Sequence, residues 1–187
     1  MESENNQRYQ TALYEEEVLA HRTGFASSQG YSGMEQENPW NDDSQEAKIL
    51  RQLHDKQLLI VNSRRRNGLI LYKRYHAEFA GPGAAVGGLV DLDCQRVLPV
   101  GNLSLLKPES TEERERAYLI RRQWIRLISQ ITDNPMPLQR VQKIINQFEG
   151  FFDADTVTQL PDEAFALLVG VFPRTVRKVR NSGDRAE

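Results

Sequence analysis

The chain has 187 residues, 39% of them hydrophobic, with one cysteine, three histidines and a formal net charge of −2. That length holds one ordinary domain or two small ones. A lone cysteine rules out an internal disulfide, and the scattered His21, His54 and His76 lack zinc-ligand spacing, so no structural metal is expected. No apolar run approaches the roughly 20 residues of a membrane span. The opening "MESENNQRYQ" has neither the basic nor the apolar region of a secretion signal, so a soluble cytoplasmic protein with no membrane partner is expected.

Residues 1–43 are rich in Glu, Asn, Gln, Ser and Gly and show no steady period, which predicts a disordered acidic tail. Within it "YQTALYEEEVLAHR" approximates one helical face through Tyr9, Leu13, Val18 and Leu19. Trp40 in "NPWNDD" is a candidate anchor for a protein partner that the tail folds onto. Residues 1–45 carry a net charge of −7 and residues 46–187 one of +5, so the part expected to fold is mildly basic. That balance permits contact with a polyanion without requiring it.

Residues 44–109 read as a helix followed by a small β module. "SQEAKILRQLHDK" brings Ala47, Leu50, Leu53 and His54 round at helical spacing from Ser44. "LLIV" and "LILYKRY" then look like two strands joined by "NSRRRNG", whose Asn67-Gly68 pair suits a tight hairpin turn. "AVGGLVDL" and "QRVLPVGNL" are candidates for further strands of one antiparallel sheet over about Leu58 to Leu106. The glycines of "GPGAAVGG", residues 81–88, resemble a phosphate loop only superficially. The required lysine is missing and no helix follows, so a flexible loop or glycine-rich edge strand is expected, and no cofactor.

Residues 110–183 read as helical. Ser110 with Glu113 forms a capping box, and Ala117, Ile120, Trp124, Leu127, Ile128 and Ile131 make one inward stripe with the arginines off it. Asp133-Asn134-Pro135 ends that helix and Pro137 opens the next, where Leu138, Val141, Ile144, Ile145 and Phe148 face a core until Gly150. A short helix follows around Asp155 to Leu160. The predicted fold class is therefore α+β, a small antiparallel β module followed by a helical bundle.

The last segment, 161–181, carries the functional expectation. Pro161 starts a helix with Asp162 and Glu163 in its first turn and Phe165, Ala166 and Val169 facing inward. Gly170 permits a left-handed corner, and Pro173 opens a second helix that packs Val171, Val176 and Val179 against the first. This arrangement resembles the helix-turn-helix pattern of transcription regulators and sigma-factor-like domains. The resemblance implies a second helix lying in the major groove of double-stranded DNA. Arg174 and Arg177 would then read bases, Lys178 and Asn181 would share the outward face, and Thr175 and Arg180 would flank it on phosphates. The chain departs from the pattern at Phe172, where a serine or threonine often caps the second helix.

Arg64, Arg65, Arg66, Lys73 and Arg74, interleaved with Tyr72 and Tyr75, form a candidate secondary nucleic-acid contact on the predicted hairpin. No catalytic set is found. His76 and Glu78 share a strand face as an exposed polar pair, and Cys94, beside Asp91 and Asp93, reads as a small packing residue. The expectation is a non-enzymatic DNA-binding transcription regulator, with homodimerisation on paired half-sites through the β module or the Trp124 helix. The alternatives are an adaptor in a regulatory complex, or an RNA-binding protein using the Arg64 hairpin.

Overall fold

Residues 44–183 are described by a computed structural model. The expectations for the acidic tail, for "YQTALYEEEVLAHR" and for Trp40 lie outside them. Ser44 caps helix α1 (Gln45–His54), its hydroxyl accepting the Ala47 N–H at 3.2 Å. The buried pair is Ile49 and Leu53, one turn apart, so the inward face is rotated from the predicted one.

Six strands follow: β1 (Leu58–Val61), β2 (Asn67–Tyr72), β3 (Ala77–Ala80), β4 (Ala85–Gly87), β5 (Arg96–Gly101) and β6 (Leu105–Leu106). They form two antiparallel three-stranded sheets, ordered β4-β1-β6 and β3-β2-β5. The predicted β1–β2 hairpin is therefore corrected. All of β2 is buried, and its two edges are taken by β3, with Ile70 opposite Phe79, and by β5, with Ile70 opposite Leu98.

Asn67-Gly68 is the start of β2, not a turn tip. The buried Asn67 amide donates to the carbonyls of Asn62 and Arg65 at 2.9 and 3.0 Å and so pins the loop that precedes it. Gly68 makes room for an aromatic ring, since a Cβ there would meet two Phe79 ring carbons at 2.5 Å. The glycine-rich "GPGAAVGG" supplies β4, an edge strand as expected.

The helical half follows the predicted order. Ser110 caps α2 (Thr111–Thr132) by accepting the Glu113 N–H at 3.1 Å, while the Glu113 carboxylate reaches back to the N–H of Glu109 at 2.8 Å. That is one residue earlier than a full capping box. Next come α3 (Pro137–Phe151), α4 (Ala154–Gln159), α5 (Asp162–Val169) and α6 (Pro173–Gly183). α3 runs through Gly150 instead of ending there, and Leu138 in its first turn is exposed instead of packed.

One apolar cluster runs through both halves. Phe79 of β3 is its centre, meeting Trp124 of α2 edge-on at 5.1 Å and Phe148 of α3 at 4.8 Å, and Phe148 in turn meets Phe165 of α5 at 5.2 Å. Such ring pairs add a directional preference to the area they bury. The β module thus packs on α2 and α3, and α3 holds the last two helices. Among the described residues no helix is long and apolar enough to cross a membrane.

Candidate nucleic-acid interface

The corner between α5 and α6 is set by local chemistry. Ala164, Phe165, Ala166, Leu168 and Val169 are buried, which fixes α5 in the core. Gly170 then takes the left-handed conformation, φ 62° and ψ 50°, and both its N–H and that of Val171 return to the Ala166 carbonyl. A residue with a Cβ pays strain in that region, so glycine is the natural occupant. The Phe172 carbonyl accepts the Thr175 N–H at 2.8 Å and starts α6. Val176 is wholly buried, with Val171 and Val179 partly so, as the spacing predicted.

With the valines inward, Arg174, Arg177, Lys178 and Asn181 are exposed and Thr175 is half-buried. They are not equivalent. Arg177 is exposed but also reaches Asp162 on α5 at 3.3 Å. Arg180, predicted to touch phosphate, is turned back into the molecule. Its guanidinium donates to the carbonyls of Val157 and Leu160 at 3.2 and 2.8 Å, pairs with Asp162 at 3.1 Å and lies over the Phe165 ring. The reason is that the carbonyls at the end of α4 face α6, where a cation can add to the one backbone bond that Val157 accepts and satisfy that of Leu160. Phe172 stands exposed at the corner with the Arg174 guanidinium 5.0 Å from its ring centre.

The secondary contact predicted on one hairpin is split. Arg64, Arg65 and Arg66 are exposed in the β1–β2 loop. Arg74 lies in the β2–β3 turn, 5.1 Å from the ring centre of the exposed Tyr75. That turn neighbours the α5–α6 corner, because Tyr75 and His76 line one groove of about 400 Å³ with Leu167, Gly170 and Val171. Tyr72 is buried, with Arg96 above its ring at 4.0 Å.

Lys73 is a correction. It is only 6% exposed, donates to the Val90 carbonyl at 3.0 Å, and pairs with Asp91 at 3.1 Å and with Asp93, so it is not a surface contact. Its partner Asp91 is itself buried, accepts the Gly87 N–H at 2.8 Å and meets Arg121 of α2 at 3.3 Å. Arg121 also binds Glu78 of β3 at 2.5 Å. The arginines of α2 were expected off the buried stripe, yet Arg121 sits within it, at 5% exposure. The signal was present in the spacing: Ala117, Arg121, Trp124, Ile128 and Ile131 form one buried row.

The charges of this network tune one another. Burial, the largest single influence, works to raise the Glu78 pKa, but Arg121 with Lys73 and His76 together hold the carboxyl below its ordinary value. The Lys73 hydrogen bond holds Asp93 low. His76 lies 3.4 Å from the other Glu78 oxygen, so the predicted pair exists, but Glu78 is half-buried by its bond to Arg121. Cys94 packs in the core, where burial first and Asp91 second push its thiol up to about 11. Among the described residues no group of His, Cys, Asp and Glu is arranged to hold a metal ion.

No known protein-family model matches the chain, and no curated protein or solved structure is significantly similar to it.

Proposed function

We propose that this protein is a non-enzymatic, DNA-binding transcription regulator whose α6 lies in the major groove as the second helix of a helix-turn-helix. The observation that carries this reading is the left-handed corner at Gly170, which buries Val176 and leaves Arg174, Lys178 and Asn181 outward on one short helix. Arg174 is the residue for a guanine edge, since its fork of donors matches two acceptors. Lys178 serves as a point charge on phosphate, and Asn181 follows on the same face. Arg177 joins them by leaving Asp162, a separation that costs little because the Arg177 side chain is exposed and Asp162 keeps Arg180 at 3.1 Å. Arg74, stacked beside Tyr75 of the shared groove, is the candidate for a neighbouring phosphate.

The test begins with selection of bound duplexes from a random pool, followed by fluorescence anisotropy on the enriched site across a salt series. Affinity should fall steeply with salt. Lys178→Ala should reduce the log–log salt slope by about 1. Arg174→Ala should weaken binding by about 1–3 kcal/mol and relax preference at one base pair. No enrichment, or variants that bind as the parent does, overturns the reading. Preference for single-stranded RNA over duplex in competition does so equally.

A second reading is an adaptor that presents this corner to a protein. It is favoured by two exposed aromatics close to one groove, Phe172 at 68% and Tyr75 at 78% exposure. Partner binding that survives Arg174→Ala and Lys178→Ala but not Phe172→Ala would select it.

A further inference from the structure

The outer face of α2 has an ordered pattern that neither its packing nor the proposed DNA contact uses. Its inner row, Ala117, Arg121, Trp124, Ile128 and Ile131, is buried. At ~100° per residue the opposite row is Glu112, Glu115, Leu119, Arg122 and Arg126. All five are exposed, Leu119 at 55%. On one flank of that row Tyr118 and Ile125 are also exposed, and the neighbouring loop after β4 exposes Leu89 and Val90 at 76% and 58%. Arg114 and Arg116 project to either side of the row.

The row is acidic toward the helix N-terminus, apolar at its middle and basic beyond. Helix-dipole complementation accounts for the acids of the first turns. It does not account for Arg122 and Arg126, which lie about two to three turns before the helix end, in a helix whose last turn has no basic residue. The pattern is self-complementary for a second copy running antiparallel. With a two-fold axis between Leu119 and Arg122, Glu115 lies level with Arg126 of the second copy, and Leu119 with the aliphatic stem of its Arg122. Because a two-fold keeps the same flank on the same side of both helices, Tyr118 and Ile125 from both copies interleave along one edge of the contact.

We propose that the protein forms a homodimer through an antiparallel, two-fold pairing of α2, with Leu119 at its centre and reciprocal Glu115–Arg126 ion pairs at its ends. Such an isologous contact uses one patch twice, which is the commonest symmetry of soluble oligomers. Exposed ion pairs add little affinity singly, but they fix register and exclude the parallel arrangement, while Leu119, Tyr118 and Ile125 supply the apolar area. The inference stands apart from the DNA reading, because it concerns the opposite side of a different helix and is measured without DNA.

The experiment is sedimentation velocity of the full chain from low to high micromolar concentration. The parent should be a concentration-dependent dimer, and Leu119→Arg, which sets a second cation level with Arg122 of the other copy, a monomer with unchanged circular dichroism. Glu115→Arg and Arg126→Glu, each alone, bring like charges together twice per dimer and should each weaken association about ten-fold. Mixed one to one, these two variants should dimerise with each other, since every level pair is then of opposite sign. The double variant should recover the parent's dimer. A monomeric parent throughout, or a mixture no more associated than its components, overturns the pairing.

Discussion

Replacing Arg121 by methionine keeps the aliphatic stem in its slot and removes only the charge, so it isolates what the buried guanidinium contributes. Deleting one partner of a buried pair costs roughly 3–5 kcal/mol, because the other charge is left uncompensated. Here both partners keep something. Asp91, 1% exposed, retains Lys73 at 3.1 Å and the Gly87 N–H at 2.8 Å. Glu78, with 27% of its side chain exposed, retains water and His76. Arg121 itself has Nη1 without a hydrogen-bond partner among the described residues, which lowers the net worth of burying it.

The expected loss is therefore below the usual range, about 2–3 kcal/mol. With a urea slope of ~2 kcal/mol/M for a domain of this size, the midpoint should fall by roughly 1–1.5 M, read by far-ultraviolet circular dichroism. Adding Glu78→Gln to the arginine variant should recover about 1 kcal/mol relative to the sum of the single changes. A midpoint shift below ~0.3 M, or strict additivity in the double variant, would refute the claim that this network ties α2 to the sheet.

Acid tests the same network. Glu78 is held below its ordinary value near 4.5, so its contribution is fully present above that pH and is lost as pH falls through the lower folded value. Glu78→Gln should thus be less stable than the parent at pH 7 and show a flatter acid dependence below about 4.5, measured by urea midpoints at several pH values. Gly170→Val should cost about 1–3 kcal/mol, since a β-branched residue is forced to φ near 62°, whereas Gly170→Asn should cost distinctly less, as thermal melts would show. The Cys94 thiol, buried and with its pKa pushed up to about 11, should react with a disulfide reagent at pH 8 far more slowly in the native protein than in urea.

The helices of the second half were legible because each carries its own period. Trp124, Ile128, Val141 and Phe148 announce their faces without reference to anything distant. The strands were only half legible. β2 has the right residues, but its partners are chosen by burial on both faces, a property of the assembled core, and Asn67-Gly68 imitates a turn while serving a loop and a ring. The charges were the least legible. Lys73 and Arg121 look like surface residues until they meet Asp91, which follows Lys73 by 18 residues and precedes Arg121 by 30. Arg180 was misplaced for a related reason, since its acceptors are main-chain carbonyls at the end of another helix and have no signature in sequence.

A single guanidinium grips two bends of the chain at once. Arg140 of α3 donates to the Asn134 carbonyl, where α2 gives way to α3, at 2.6 Å, and to the carbonyls of Val169 and Gly170 at 3.3 Å each. It acts as a bracket that ties the corner from which α6 departs to the foot of α2. Whatever clasps two long helices together would then also gauge the stride between two terminal ones, and a substitution at Arg140, remote from any bound molecule, would loosen that gauge.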